Sequence, residues 1–425
     1  SAAPSASAAA PPWPPSVHGG AAPGDAPDAV SPSSVAPSSV SPSSVAPSSV
    51  APWKDSPSGA CSSSAYPSSV APSSLSPSSA ACSNVSLGKA AAAPTVAAGP
   101  AFCHALAGLD ENGLGPRLGP LLVTAVRASA TDEGRRIASR KARGKLQELL
   151  SDSKKLVAFG DSGLGEAWAR AVALRGGLHF ASPAELLAHL CLDGAADLEA
   201  PCPSGHRDQC WATDTEELAA PEALVQDLAR HLDRLASRGL AVEEARLVIV
   251  CTSRLNAAVR EGRSRFHVDL HAMERLCVDL RARARGPLSA VCGKVGGLDR
   301  YGPHFGPFSQ GLHSALVEGR DRSEYAVAGL GTVAFVKDAD DTYPLVSLAS
   351  LIGKWARDLL MLRIVRHHRA YDADLPAASG YHDPVTARFV DATRLARARR
   401  GLPDDCFERI ALGPGATRGA PTPTS

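Results

Sequence analysis

Gly108-Leu109-Asp110-Glu111-Asn112-Gly113-Leu114-Gly115-Pro116, continuing to Gly119-Pro120, is the stretch on which the fold turns. It continues an apolar run that reads as a strand over residues 104–110, and the Gly and Pro residues mark a turn after it. Side chains alternate across a strand, so two adjacent acids at its end point to opposite faces. A buried strand does not tolerate unpaired charge on either face, and a bound cation resolves that conflict. The glycines let a phosphate backbone approach the main chain closely. Taken alone, the stretch also reads as a solvated Asp-Glu turn, so the rest of the chain has to decide.

Working outward, residues 121–126 form a second apolar run, and the short connection predicts a hairpin. Amphipathic spacing predicts helices over 138–150, 166–174, 183–191 and 222–237. Residues 245–252 read as a strand, 268–284 as a helix, 288–292 as a short buried strand, 332–336 as a strand and 345–365 as a long helix. Strands first, then mixed elements, then helices: this order predicts an α/β layer with a mixed central sheet and helices on its faces.

Three further constellations follow. Asp152-Ser153-Lys154-Lys155-Leu156 sets a lysine pair after a predicted helix. Lys337-Asp338-Ala339-Asp340-Asp341-Thr342-Tyr343-Pro344 clusters carboxylates between a strand and a helix, where a short connection can aim them into one site. The helix beyond it carries Ser347, Ala349, Ser350 and Lys354. Ser379-Gly380-Tyr381-His382-Asp383-Pro384 offers an aromatic ring with a polar tip. Each has an ordinary structural reading when isolated: a surface lysine pair, a surface turn, a capped turn.

In this order the four stretches resemble motifs of the ribonuclease HII (type 2 ribonuclease H) family. The first resembles Asp-Glu-x-Gly-Arg-Gly-Pro followed by Gly-Pro, the second Asp-Ser-Lys-Lys-Leu, the third the last catalytic Asp with its Ala-Ala-Ser segment and downstream Lys, and the fourth a Gly-Tyr motif. The resemblance implies a ribonuclease H-like fold. It also implies a metal-dependent endoribonuclease that cuts the RNA strand of RNA-DNA hybrids, or ribonucleotides embedded in duplex DNA. Asp110, Glu111 and Asp340 would be the catalytic carboxylates, holding Mg²⁺ or Mn²⁺. Asn112, Gly113, Leu114, Gly115, Ser153, Lys154, Ser350, Lys354 and Tyr381 would face the substrate.

The resemblance breaks in two places. Leu114 stands where the family has an Arg, so the cationic contact of that turn is lost unless Arg117 reaches in. Matching Gly293 to the glycine that follows the family's third metal-binding Asp sets Cys292 in the place of that Asp, and a thiol is a poor ligand for Mg²⁺. Asp299 or Asp341 would have to substitute. Otherwise the domain is a catalytically impaired module that binds a hybrid or a partner without cutting.

Composition sets the remaining bounds. The chain has 425 residues and a net charge of +1. Residues 1–100 hold only Asp25, Asp28, Lys54, Asp55 and Lys89 as charged side chains and repeat a Pro-Ser-Ser-Val unit. Proline at that period and small side chains predict a disordered low-complexity tail, whether a spacer, an interaction segment or a dispensable extension. The expected division is this tail, a ribonuclease HII-like domain over 101–412 with an insertion at about 157–244, and a disordered tail over 413–425. A near-neutral body argues against a broad electrostatic footprint and leaves room for a local basic groove.

No run approaches the roughly 18 apolar residues needed to cross a bilayer, so no membrane partner is expected. Ten cysteines without paired spacing fit a reducing compartment, and a cytoplasmic monomer is the expectation. Cys202, His206 and Cys210 have a zinc-like spacing but need a fourth ligand such as Cys191. His267 and His271, and the arginines at 281, 283, 285, 394, 397, 399 and 400, read as solvated helix faces.

Overall fold

The computed structural model describes residues 102–161, 163–194, 208–213 and 215–411. The expected tails at 1–100 and 413–425 lie outside the described residues, as do Cys202 and His206 of the zinc-like spacing.

The apolar run before the two acids forms β1 (His104–Asn112), whose alternate side chains enter two separate cores. Leu106 belongs to one, and Ala105, Ala107 and Leu109 to the other. β2 (Leu121–Ala130) pairs antiparallel with β1, Asn112 standing opposite Leu122. The predicted hairpin is present.

The single helix predicted over 138–150 is replaced by α1 (Asp132–Ala138) and α2 (Lys145–Leu149). Gly144 adopts a positive φ of 59° as the residue before α2, and no continuous helix passes through that conformation. α3 (Ser153–Leu156) is a single turn capped by the side chain of Asp152, which accepts from the Lys154 amide. α4 (Gly163–Arg175), α5 (Pro183–Leu190), α6 (Asp208–Trp211) and α7 (Glu222–Ser237) follow.

β3 (Leu240–Val250) starts earlier than its sequence pattern suggested and pairs antiparallel with β2. Beyond it come α8 (Thr252–Arg260), α9 (Arg265–Arg283) and β4 (Leu288–Gly293), which pairs parallel to β1. β5 (His313–Val317) and β6 (Arg322–Val327) were not predicted. All five residues of β5 are exposed, so it carries no burial pattern to read. β7 (Gly331–Val336) lies parallel to β4. α10 (Ala339–Thr342) leads directly into α11 (Pro344–Arg369), and α12 (Pro384–Arg399) and α13 (Asp404–Phe407) close the described chain.

The result is one mixed seven-stranded sheet, in the order β3-β2-β1-β4-β7-β6-β5, with helices on both faces. On one face α11 packs with α4 and α7 around Trp168, Leu228, Leu348 and Ile352. On the other, α9 packs with an aromatic group of Tyr301, Phe305, Phe308, Tyr325 and Phe335. α11 is enclosed nearly all round, so even its charged residues are paired inside: Arg363 with Glu216 at 2.6 Å and Lys354 with Asp358 at 2.8 Å.

Two glycines allow α11 to lie directly on the sheet. A Cβ on Gly108 would stand 2.3 Å from the Leu345 carbonyl carbon, and one on Gly353 would stand 1.9 Å from Asn112 Oδ1. The start of α11 is thereby set against the end of β1, where the acids are.

Candidate active site

The alternation predicted from sequence separates the two acids of β1. Asp110 shares a face with Leu106 and meets α11, where the Ser350 hydroxyl hydrogen-bonds it. Ser350 Oγ is also 3.0 Å from Ser153 Oγ, joining α11 to α3. Glu111 is half-buried on the face of α9. Asp340 comes from α10, and its main-chain carbonyl accepts from Ser347 Oγ at 2.5 Å. A Cβ on Gly293 would lie 2.8 Å from Asp110 Oδ1, so the β4 glycine leaves room for that carboxylate.

All three acids are hard to ionise. Burial pushes Asp110 well above the ordinary carboxylate range, and the neighbouring charges of Glu111 and Asp340 push the same way. Burial raises Glu111 to about 8, reinforced by Asp269. Asp340 is raised by burial and by Asp152. Lys154 is the cation whose charge acts on all three. Among the described residues no three His, Cys, Asp or Glu side chains converge on one point.

The remaining predicted positions divide. Ser153 and Ser350 are buried beside Asp110, and the charge of Lys154 acts on the acids. Lys354 turns to Asp358 instead of the groove. Asn112 is buried under Gly353, and Gly115 is exposed with open space around it. Asp341 faces two lysines, Lys141 at 2.7 Å and Lys155 at 3.4 Å, and Asp299 lies in a loop with Lys294 at 3.4 Å. Cys292 is fully buried and hydrogen-bonded to Cys277.

The glycine turn is held from below by arginines. Arg117 is engaged with Glu408 at 2.6 Å. Arg409 donates from Nη1 to the carbonyls of Gly113 at 2.6 Å and Leu114 at 3.3 Å, and Arg265 approaches the Leu114 carbonyl at 3.5 Å. The Gly380 carbonyl accepts from the amides of Arg117 and Leu118, joining the first motif to the fourth. Beside that junction Tyr381 is exposed, its ring 4.6 Å from the Arg357 guanidinium. Arg409 sits too far along the chain from Leu114 for spacing to have revealed it.

Two other features escaped the sequence. Asp269 is an acid on the sheet-facing side of α9, spaced i, i+4, i+8 with buried Met273 and Cys277; its phase in that stripe was the available signal. A cleft of about 430 Å³ lined by Arg136, Arg140, Lys141, Lys145, Arg234 and Arg238 reaches Pro344 at the start of α11. It is the local basic groove that overall charge could not reveal.

Other sequence candidates take structural roles. His267 meets His304 at 3.1 Å instead of facing water, and Arg397, expected on a solvated face, is buried over Phe407 at 3.7 Å. No helix among the described residues is long and apolar enough to cross a membrane.

Solved ribonucleases H of types 2 and 3 are similar to this chain. Ribonuclease HII of Archaeoglobus fulgidus, solved with PCNA, aligns over 72% of this chain and 93% of its own, with 15% identity and a TM-score of 0.32. Bst-RNase HIII in complex with Mn²⁺ aligns over 73% of this chain and 67% of its own, with 13% identity and a TM-score of 0.36. Ribonuclease H2 of Pyrococcus horikoshii OT3 aligns over 71% and 92%, with 15% identity and a TM-score of 0.29. No family model and no curated protein matches.

Proposed function

We propose that this chain is a divergent type 2 ribonuclease H, a metal-dependent endonuclease that cleaves the RNA strand of RNA-DNA hybrids or ribonucleotides within duplex DNA. The observation that carries this reading is that buried Asp110 and half-buried Glu111 and Asp340, from β1 and α10, are near enough for their charges to act on one another.

The donor set suits Mg²⁺ or Mn²⁺, because carboxylate oxygens are hard ligands and the acids are costly to ionise without a cation. Asp110, Glu111 and Asp340 would hold it, and when bound it would supply charge stabilisation for phosphodiester hydrolysis. The chain's own groups set up the rest. Ser350 orients the Asp110 carboxylate. Lys154 supplies positive charge beside the acids, suited to a substrate phosphate. The Gly113–Gly115 turn, stiffened by Arg409, presents main chain to the sugar edge, and Tyr381 offers a ring face beside Arg357. The basic cleft next to α11 suits the phosphates of a duplex beyond the cut.

The test is cleavage of a 5′-labelled RNA-DNA hybrid and of a duplex with one ribonucleotide, in Mg²⁺ and in Mn²⁺. Cleavage by the wild-type chain that disappears in Asp110→Asn is the expected result. A second reading, a module that binds hybrid without cutting, is favoured by Cys292 in the place of an acid. It requires hybrid binding without cleavage, and cleavage gained in Cys292→Asp.

A further inference from the structure

Asp269 is fully buried, and neither of its carboxylate oxygens has a hydrogen-bond partner. A buried carboxylate without a partner is strongly unfavourable. Its electrostatic neighbours include Asp110 and Glu111, which have the same sign and make the cost larger. Packing supplies no reason for an acid here, since Met273 and Cys277 continue the same stripe as ordinary core residues.

Helix and strand geometry locate it. Leu109 and Cys292 are register partners on adjacent parallel strands, so both face α9. The hydrogen bond between Cys277 and Cys292 sets those two residues level. α9 runs back along β4, and eight residues of helix rise about 12 Å, so Asp269 lies past Cys292, beyond the ends of β1 and β4. Phe266, three residues earlier, packs against Gly296, which agrees with that level. Glu111 follows Leu109 on the same face of β1, about 7 Å further along, so it lies between the level of Cys292 and that of Asp269.

We infer that Asp269 supplies from a helix the oxygen ligand whose place on β4 is occupied by Cys292, so that a divalent cation is held by Asp110, Glu111, Asp269 and Asp340. This rests on the metal-dependent reading proposed above. The two acids that sequence offered as substitutes, Asp341 and Asp299, are engaged by lysines instead. A carboxylate has moved from sheet to helix while the site keeps its number of acids.

The experiment titrates Mn²⁺ alone into the full-length chain, reading free Mn²⁺ by electron paramagnetic resonance, with thermal melts at each concentration. Outer-shell partners of metal ligands are worth about 10- to 100-fold in affinity, so Asp269→Asn should weaken Mn²⁺ binding at least roughly tenfold. Without metal, a cooperative melt like that of wild type certifies that the variant folds. Adding Cys292→Asp to Asp269→Asn should recover part of the affinity. Asp269→Asn with wild-type Mn²⁺ affinity, while Asp110→Asn loses it, overturns the inference and leaves the metal-dependent reading standing. Mn²⁺ binding indifferent to both substitutions overturns the two together.

Discussion

Glu274 illustrates how one side chain can hold a segment and make stability depend on pH. It projects from α9 and accepts from the amides of Gly306 and Phe308, the latter at 2.7 Å, pinning the turn that carries Phe305 and Phe308 into the core. Burial raises its pKa from 4.5 to about 7. A folded pKa above the unfolded one means that this contribution is fully present below about pH 4.5 and is lost as pH rises through about 7. Glu274→Gln keeps an acceptor for the amides and removes the titration. Its melting temperature should therefore lose the decline that wild type has between these pH values. At one pKa unit per roughly 1.4 kcal/mol, the difference at pH 8 should not exceed about 3.5 kcal/mol. Denaturant titrations at pH 5 and pH 8 measure it, and parallel pH dependences in the two proteins would reject the assignment.

At the scale of elements, the seating of α11 on β1 decides whether the acids meet. The Leu345–Val346 backbone occupies the space a side chain on Gly108 would need, so Gly108→Ala must push the helix away or distort the strand. Overpacking of this kind costs about 1–3 kcal/mol, and the upper end is expected because the obstructing atoms are backbone. The urea midpoint should fall accordingly, and cleavage should fall further than stability because Asp340 and Ser350 move with the helix. β1, the hairpin, the strand at 288–292 and the long helix were legible in the sequence because each carries its own periodicity or turn signal. The break at Gly144 was not, since the basic residues around it suit a helix face as well as a cleft wall. β5 was not either, because an exposed edge strand has no buried side to mark it. Within the site, the charges of Asp110, Glu111, Asp340 and Lys154 act on one another, and Ser153 and Ser350 are buried beside Asp110, so the residues of the first three motifs are near neighbours in the fold. Asp269 and Arg409 were hidden because their partners lie far off in sequence, and a local pattern holds no record of contacts that only folding creates.

At the scale of the whole molecule, near-neutral composition conceals a segregated surface. Arg136, Arg140, Lys145 and Arg234 gather on the side of the sheet where α1 and α7 adjoin the start of α11. If duplex phosphates lie there, replacing Arg140 and Arg234 by Glu should weaken hybrid binding similarly for all sequences. The salt dependence should become shallower by about one unit of log–log slope per lost contact. Fluorescence anisotropy across a KCl series reads both, and an unchanged slope would remove the cleft from the substrate path.

The sheet order also governs how the protein comes into being. β1 must wait for β4, whose first residue is Leu288, before its second edge is covered, and Asp110 must wait longer for the segment that carries Asp340. Pairings so distant along the chain raise contact order, which slows folding. During synthesis the β1–β2 hairpin therefore emerges with both outer edges open and its acids unaccompanied. The acidic cluster is assembled last: a chain arrested before α10 would already hold all seven strands, yet Asp110 and Glu111 would still lack Asp340 and the long helix that seats against β1.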